Sequence, residues 1–142
     1  MKKNLGWIMF SIMTVAVIVL ASVLISYNVR WKSGNELLDI DIQDVESAYL
    51  YQNITSSAEP QRKEYYLKEK QIEYIVTEFH SSRFERSNSQ YDGGSSSIVF
   101  KLKDGSEISF SVVGSNVTIN GKQYKCHSYL TNYITHYGFD EE

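Results

Sequence analysis

The first feature of the chain is an uninterrupted apolar run from Leu5 to Tyr27. The run is 23 residues long and contains no charged residue and no Asn or Gln. A helix of that length reaches about 34 Å, enough to cross a hydrocarbon core of about 30 Å. A helix that is apolar on all sides needs protein or lipid around it, and the remaining residues are too few to enclose it and also build a core. The run therefore predicts one transmembrane helix.

After this run the pattern changes to short periodic segments. Residues 45–51 alternate in the manner of a strand, and residues 65–67 predict a brief second strand. Ile72, Ile75, Val76 and Phe79 are spaced as one face of a helix over residues 69–82, and Phe84 is expected to close the core beyond it. A polar connection over residues 53–62 and a Ser/Gly-rich loop over residues 87–97 are expected between these elements.

From residue 97 onward the pattern has a period of two. A three-residue loop, Lys103-Asp104-Gly105 with Gly105 left-handed, pairs Phe100 with Ile108 and keeps apolar residues on one face. A two-residue loop at Asp104-Gly105 would place every apolar residue opposite a polar one. In the next hairpin an Asn120-Gly121 turn pairs Val117 with Tyr124. Residues 97–126 therefore predict an antiparallel meander of four strands.

The last element predicted is a helix over residues 127–138, ended by Gly138. The expected fold is α+β: an N-terminal transmembrane helix, then a small domain with a β-meander, one packed amphipathic helix and a short C-terminal helix. The expected organisation is a tail and membrane helix over residues 1–32, a stalk over residues 33–44, and a domain over residues 45–142. The stalk is assigned from its alternating Asp and Ile residues.

The residues that flank the apolar run are typical of a membrane boundary. Lys2 and Lys3 precede it, Arg30 and Lys32 follow it, and Trp7, Tyr27 and Trp31 lie near its ends. A cleaved signal peptide is the main alternative, but the run exceeds the usual length of about 7–15 residues and no A-x-A site follows. We expect an uncleaved anchor in the cell membrane, contacting lipid through residues 5–27. The flanking charges are nearly balanced, and we expect the N-terminus in the cytoplasm and the domain outside.

Composition narrows the classes of partner. Residues 33–142 hold ten basic and 17 acidic residues, a formal charge of −7. Such a domain repels phosphate backbones, so no nucleic-acid partner is expected. Cys126 is the one cysteine, so the chain forms no internal disulfide, although pairing between two chains is open.

Few residues suggest chemistry. Cys126, His127, His136 and His80 match no metal-ligand spacing, and adjacent strand residues such as Cys126 and His127 point to opposite faces. We expect no catalytic residues, no metal, no cofactor and no enzymatic activity. The binding residues considered are Tyr124, Tyr129, Tyr133 and Tyr137, because tyrosines are enriched in recognition surfaces. The alternative, which we favour, is that these four tyrosines fill the core.

The order of elements supports a resemblance over most of residues 45–126. An anchor, a short strand, a helix carrying Ile72 to Val76, and the hairpins at Asp104-Gly105 and Asn120-Gly121 follow in turn. In this the chain resembles small membrane-anchored extracytoplasmic domains of unknown function from Gram-positive bacteria. The resemblance implies location and fold type, and it implies no functional residue.

The resulting functional hypothesis is a binding or interaction module at the cell envelope, with an unknown protein or envelope partner. Two alternatives remain. An immunity or inhibitor protein acting at the membrane would share the small size, the acidic surface and the anchor. A pilin-like subunit would share the apolar helix and distal sheet, but the fifth residue after Gly6 is Ser11 and not the Glu that a processing site needs.

Overall fold

A computed structural model describes residues 2–54, 61–88 and 96–137 of the chain. The chain divides into two compact units, Met1–Trp31 and Lys32–Glu142. The expected loop centre over residues 89–95, Pro60, Gly138 and the acidic C-terminus lie outside the described residues.

The first unit is helix α1, Lys2–Arg30. Its stretch Gly6–Tyr27 spans 22 residues with a mean hydropathy of 2.8 and buries none of its side chains against protein. The hydroxyl groups within it donate to carbonyls one turn earlier: Ser11 to Trp7 at 2.9 Å and Ser22 to Ile18 at 2.8 Å. Within the described residues, this is the one helix long and apolar enough to cross a membrane.

The second unit contains the sheet and three helices. The strands are β1 (Trp31–Ser33), β2 (Val45–Ile54), β3 (Gln61–Tyr66), β4 (Arg83–Arg86), β5 (Ser96–Leu102), β6 (Glu107–Val113), β7 (Asn116–Ile119) and β8 (Lys122–Cys126). The helices are α2 (Gly34–Leu37), α3 (Glu69–Ser81) and α4 (Leu130–His136), with a 3₁₀ turn at Ile42–Asp44. The predicted α+β class is confirmed.

The described strands form one sheet in the order β1-β4-β8-β7-β6-β5-β2-β3. The predicted meander is confirmed as β5 to β8, and its neighbouring strands pair antiparallel. The sequence did not predict β4, which pairs antiparallel with β8 and places Phe84 opposite Cys126. Strand β3 begins earlier than expected and pairs with β2 at one edge of the sheet.

Both predicted hairpin registers are confirmed. Phe100 pairs with Ile108 across β5 and β6, and Gly105 has a φ of +85°, as the three-residue loop requires. Val117 pairs with Tyr124 across β7 and β8, and both Asn120 and Gly121 have positive φ. The alternation of apolar and polar residues therefore sets which strand face is buried.

The core lies on one face of the sheet, beneath α3 and α4. The Phe79 ring of α3 lies 4.8 Å from the Phe110 ring and 5.0 Å from the Phe84 ring, measured between centroids. Leu130 and Ile134 of α4 are fully buried in the same cluster. The opposite face of the sheet, whose described side chains include the half-buried Tyr49, Tyr51 and Val99, we call the open face.

Residues 33–44, expected to be a stalk, lie on the folded unit. Gly34 and Ile40 are buried, and Leu37 and Leu38 pack against the core. The acidic residues Asp39, Asp41 and Asp44 are exposed. The segment thus places Ile40, Leu37 and Leu38 on the core, while Ile42 and the carboxylates are exposed.

Candidate functional site

The open face is generated by the alternation of side chains along β2. Ala48, Leu50 and Gln52 are buried on the core side, so Tyr49 and Tyr51 point to the opposite side. Strand pairing continues this face across the sheet, because Tyr49 is the partner of Tyr66 on β3 and of Val99 on β5. Its half-buried or exposed residues include Tyr49, Tyr51, Tyr66, Val99, Lys101 and Ser109.

Three tyrosine rings lie in contact at the β2–β3 end of this face. The centroids of Tyr49 and Tyr51 are 6.4 Å apart with nearly parallel planes, and the Tyr66 ring meets Tyr49 edge-on at 5.4 Å. Tyr66 is 61% exposed although it belongs to a strand. The three rings form an aromatic surface fixed to rigid backbone.

Two cations lie over these rings. The Arg62 guanidinium carbon is 4.1 Å from the centroid of Tyr51, and the Lys101 Nζ atom is 5.3 Å from the centroid of Tyr49. Both distances fall within the range of cation–π attraction. We call Tyr49, Tyr51, Tyr66, Arg62 and Lys101 the tyrosine–cation cluster.

Toward the centre of the sheet the open face becomes polar. Ser97 of β5 and Ser111 of β6 share a hydrogen bond of 2.8 Å between their hydroxyl groups. Further along, the register places Lys125 of β8 opposite Glu85 of β4. The concentration of aromatic rings is therefore a property of the β2–β3 end of the face.

The four tyrosines considered from the sequence occupy different environments. Tyr124 and Tyr137 are 8% and 7% exposed and belong to the core. Tyr133 is half-buried against the core, with its ring 5.7 Å from Tyr137 and 4.8 Å from Tyr74. Tyr129 is 80% exposed. The sheet and α4 therefore bring three of the four into contact with the core.

The residues considered for metal binding or nucleophilic chemistry are dispersed. Cys126 is buried with its Sγ atom 3.2 Å from the Ser128 hydroxyl, whereas His127 is exposed and lies 3.6 Å from a Glu85 carboxylate oxygen. The buried His80 Nε2 atom has no hydrogen-bond partner among the described residues. In that same part of the chain, no group of three or more His, Cys, Asp or Glu residues is placed to hold a metal ion.

A shallow depression of about 500 Å³ includes Cys126 and His127. It is lined by Ser115, Cys126, His127, Ser128, Tyr129, Thr131 and Asn132. The depression lies where β8 leads into α4, and His80 is not part of its lining. Its hydroxyl and amide groups are polar, but they do not gather around a common reacting position.

Two carboxyl groups with a lowered pKa lie in a turn and in a short helix. Hydrogen bonds from the Ser106 hydroxyl and backbone N–H lower the pKa of Asp104 in the β5–β6 turn. A hydrogen bond from the Ser33 backbone N–H is the main cause of the lowered pKa of Glu36 in α2. Both groups stabilise local backbone, and neither belongs to the tyrosine–cation cluster.

One pattern in the sequence indicates part of this cluster. Tyr49 and Tyr51 alternate with Ala48 and Leu50, which places tyrosine and aliphatic residues on opposite faces. The positions of Arg62 and Lys101 follow only from strand order, because β3 ends at Tyr66, β5 begins at Ser96, and the two strands lie on either side of β2.

Comparison of the chain with protein-family models, with curated proteins and with solved structures found no match.

Proposed function

We propose that this protein is a single-pass membrane-anchored binding module whose folded unit, Lys32–Glu142, lies outside the cytoplasm. The observation that carries the binding role is the tyrosine–cation cluster on the open face. Tyrosine and arginine are the residue types that most often dominate binding energy at protein interfaces. The cluster combines both types on a rigid sheet, where binding would cost little ordering entropy.

The anchoring role rests on α1. Its apolar stretch ends in aromatic residues, with Trp7 at one end and Tyr27 at the other, as at the two headgroup layers of a membrane. The hydroxyl groups of Ser11, Thr14 and Ser22 are satisfied by the helix's own carbonyls, which suits an environment without water.

Photocrosslinking in intact cells tests the binding role. A photoreactive amino acid replaces Ser109, which is exposed on the open face, or Asn132, which is exposed on α4. We expect a defined adduct from position 109 and none from the matched control at position 132. No adduct from position 109, or the same adducts from both positions, would contradict a binding role for this face.

A further inference from the structure

The two cations of the tyrosine–cation cluster reach it from opposite ends of β2. Arg62 on β3 pairs with Asn53, two residues beyond Tyr51, and Lys101 on β5 pairs with Ser47, two residues before Tyr49. Each side chain nevertheless lies over a ring of the Tyr49–Tyr51 pair. The two positive charges thus lie over neighbouring rings, whose centroids are 6.4 Å apart, and come from strands on either side of β2.

Neither cation is neutralised within the described residues. No described carboxylate lies within 4.0 Å of the Arg62 guanidinium or the Lys101 ammonium. Glu64 and Glu107 are the nearest acidic residues in strand register, opposite Tyr51 and Lys101 respectively, and neither forms an ion pair there. What distinguishes these two cations is that each lies over a tyrosine ring, in a domain whose formal charge is −7.

The cation–π contacts also determine which groups of the cluster remain for a ligand. Arg62 covers one face of the Tyr51 ring, Lys101 lies over Tyr49, and Tyr66 meets Tyr49 edge-on. These contacts take up a face of the Tyr51 ring and a face of the Tyr49 ring, on which a sugar ring would otherwise stack. The remaining groups include N–H donors of a flat guanidinium, an ammonium group and phenolic hydroxyls, which suit carboxylate oxygens.

We propose that the tyrosine–cation cluster binds an acidic segment of a partner protein through its Asp or Glu carboxylates. The proposal rests on the proposed function and specifies the partner's chemistry. Charge complementarity selects an anion, because Arg62 and Lys101 are held in place and unpaired. The occupied ring faces disfavour a glycan, and the acidic remainder of the domain disfavours an anionic bilayer.

Binding of a labelled poly-L-glutamate peptide to the full chain in neutral detergent micelles tests this proposal. We expect saturable binding that weakens as ionic strength rises, because the contact is between exposed charges. Arg62→Ala and Lys101→Ala are each expected to weaken binding about five- to tenfold, since each removes a charge-assisted contact. Lys122→Ala, which removes an exposed lysine at the start of β8, is the matched control and is expected to leave binding unchanged.

A second variant distinguishes binding that requires the arrangement of the cluster from binding by positive charge alone. Tyr51→Ala keeps Arg62 but removes the ring beneath it, so we expect weaker binding as the guanidinium loses its fixed position. The circular dichroism spectrum of each variant reports whether the domain is folded. Should Tyr51→Ala unfold the domain, Tyr51→Leu, which keeps an apolar side chain without the ring, provides the same comparison.

Several results would overturn the acidic-peptide proposal. One is the absence of poly-L-glutamate binding. Another is a loss of binding in Lys122→Ala as large as that in Arg62→Ala and Lys101→Ala. A third is binding of oligogalacturonate or phosphatidylglycerol vesicles in preference to poly-L-glutamate. A position-109 adduct in cells together with no poly-L-glutamate binding would leave the binding function standing and reject the acidic partner. Absence of both would reject the binding function itself.

Discussion

At the scale of single residues, Gly34 has a steric role that no larger residue can take. A Cβ atom built on Gly34 would lie 1.9 Å from the Phe79 carbonyl oxygen and 2.8 Å from the His80 Cα atom. Both atoms belong to the backbone of α3 and cannot rotate away as a side chain would. Gly34 therefore permits the close approach of α2 to α3.

Gly34→Ala is expected to destabilise the domain by about 1–3 kcal/mol, because the helices must separate to admit the methyl group. Urea unfolding of the full chain in detergent, followed by tryptophan fluorescence, measures the change. Asn35→Ala, at the exposed neighbouring position, is the control and should change stability little. Equal stability of the two variants would contradict the close approach.

A second single residue, Gln52, connects the sheet to α4. It is 4% exposed, and its amide nitrogen donates to the carbonyl oxygens of Ile134 at 3.1 Å, Thr135 at 3.3 Å and Tyr137 at 3.0 Å. These carbonyls lie at the C-terminal end of the helix, where intrahelical donors are missing. One side chain from β2 thus donates hydrogen bonds to the backbone carbonyl groups at the end of α4.

Gln52→Leu is expected to destabilise the domain by about 1–3 kcal/mol, because buried carbonyls lose their donor. Thermal unfolding monitored by circular dichroism provides the comparison. Gln123→Leu is the matched control, since Gln123 is half-buried on the open face and makes no such contact with a helix end. A Gln52→Leu variant as stable as its control would show that α4 is held by its apolar contacts alone.

At the scale of elements, the β5–β6 turn depends on one carboxylate. The Asp104 side chain accepts from the Ser106 hydroxyl at 2.6 Å and from the Ser106 backbone N–H at 2.8 Å. These bonds favour the ionised form and lower the pKa of Asp104 in the folded protein. The contribution of this carboxylate to stability is therefore present above its unfolded-state pKa and is lost as pH falls through the folded value.

The Ser106 amide resonance is expected to titrate with Asp104, with a midpoint below about pH 3.9, the usual value for an aspartate. Asp104→Asn should abolish the titration, because the amide has no proton to gain in this range. Two-dimensional NMR of the full chain in detergent follows the resonance as pH is lowered. A midpoint at or above the usual aspartate value would contradict the hydrogen bonds described.

The elements that the sequence predicts are those in which apolar and polar residues alternate regularly over a long stretch of chain. The pairing of Phe100 with Ile108 and of Val117 with Tyr124 follows from alternation and turn chemistry alone. Strand β4 has only four residues, Arg83–Arg86, and just Phe84 among them is buried. So short a strand does not show a repeating alternation of apolar and polar residues. The burial of Ile40 in segment 33–44 is hard to predict for a related reason, because exposed carboxylates flank it in the chain.

At the scale of the whole molecule, alternation predicts which residues share a face but not which face the helices cover. Tyr49 and Tyr124 both alternate with other residues in strands, yet Tyr124 is buried and Tyr49 lies on the open face. The difference depends on where α3 and α4 pack, which is a long-range property of the fold. For this reason the tyrosine–cation cluster could be located only in three dimensions.

The central claim for the whole molecule is that α1 crosses a membrane and leaves the folded unit outside the cell. Because the native Cys126 is buried, cysteines introduced at Lys3 or Asn132 can report the two sides of the membrane. The measurement is labelling of intact cells with a membrane-impermeant maleimide, with unsubstituted protein as the background. We predict that Asn132→Cys is labelled in intact cells and that Lys3→Cys is labelled only after lysis. The opposite pattern, or recovery of the full-length chain in the soluble fraction, would contradict the account.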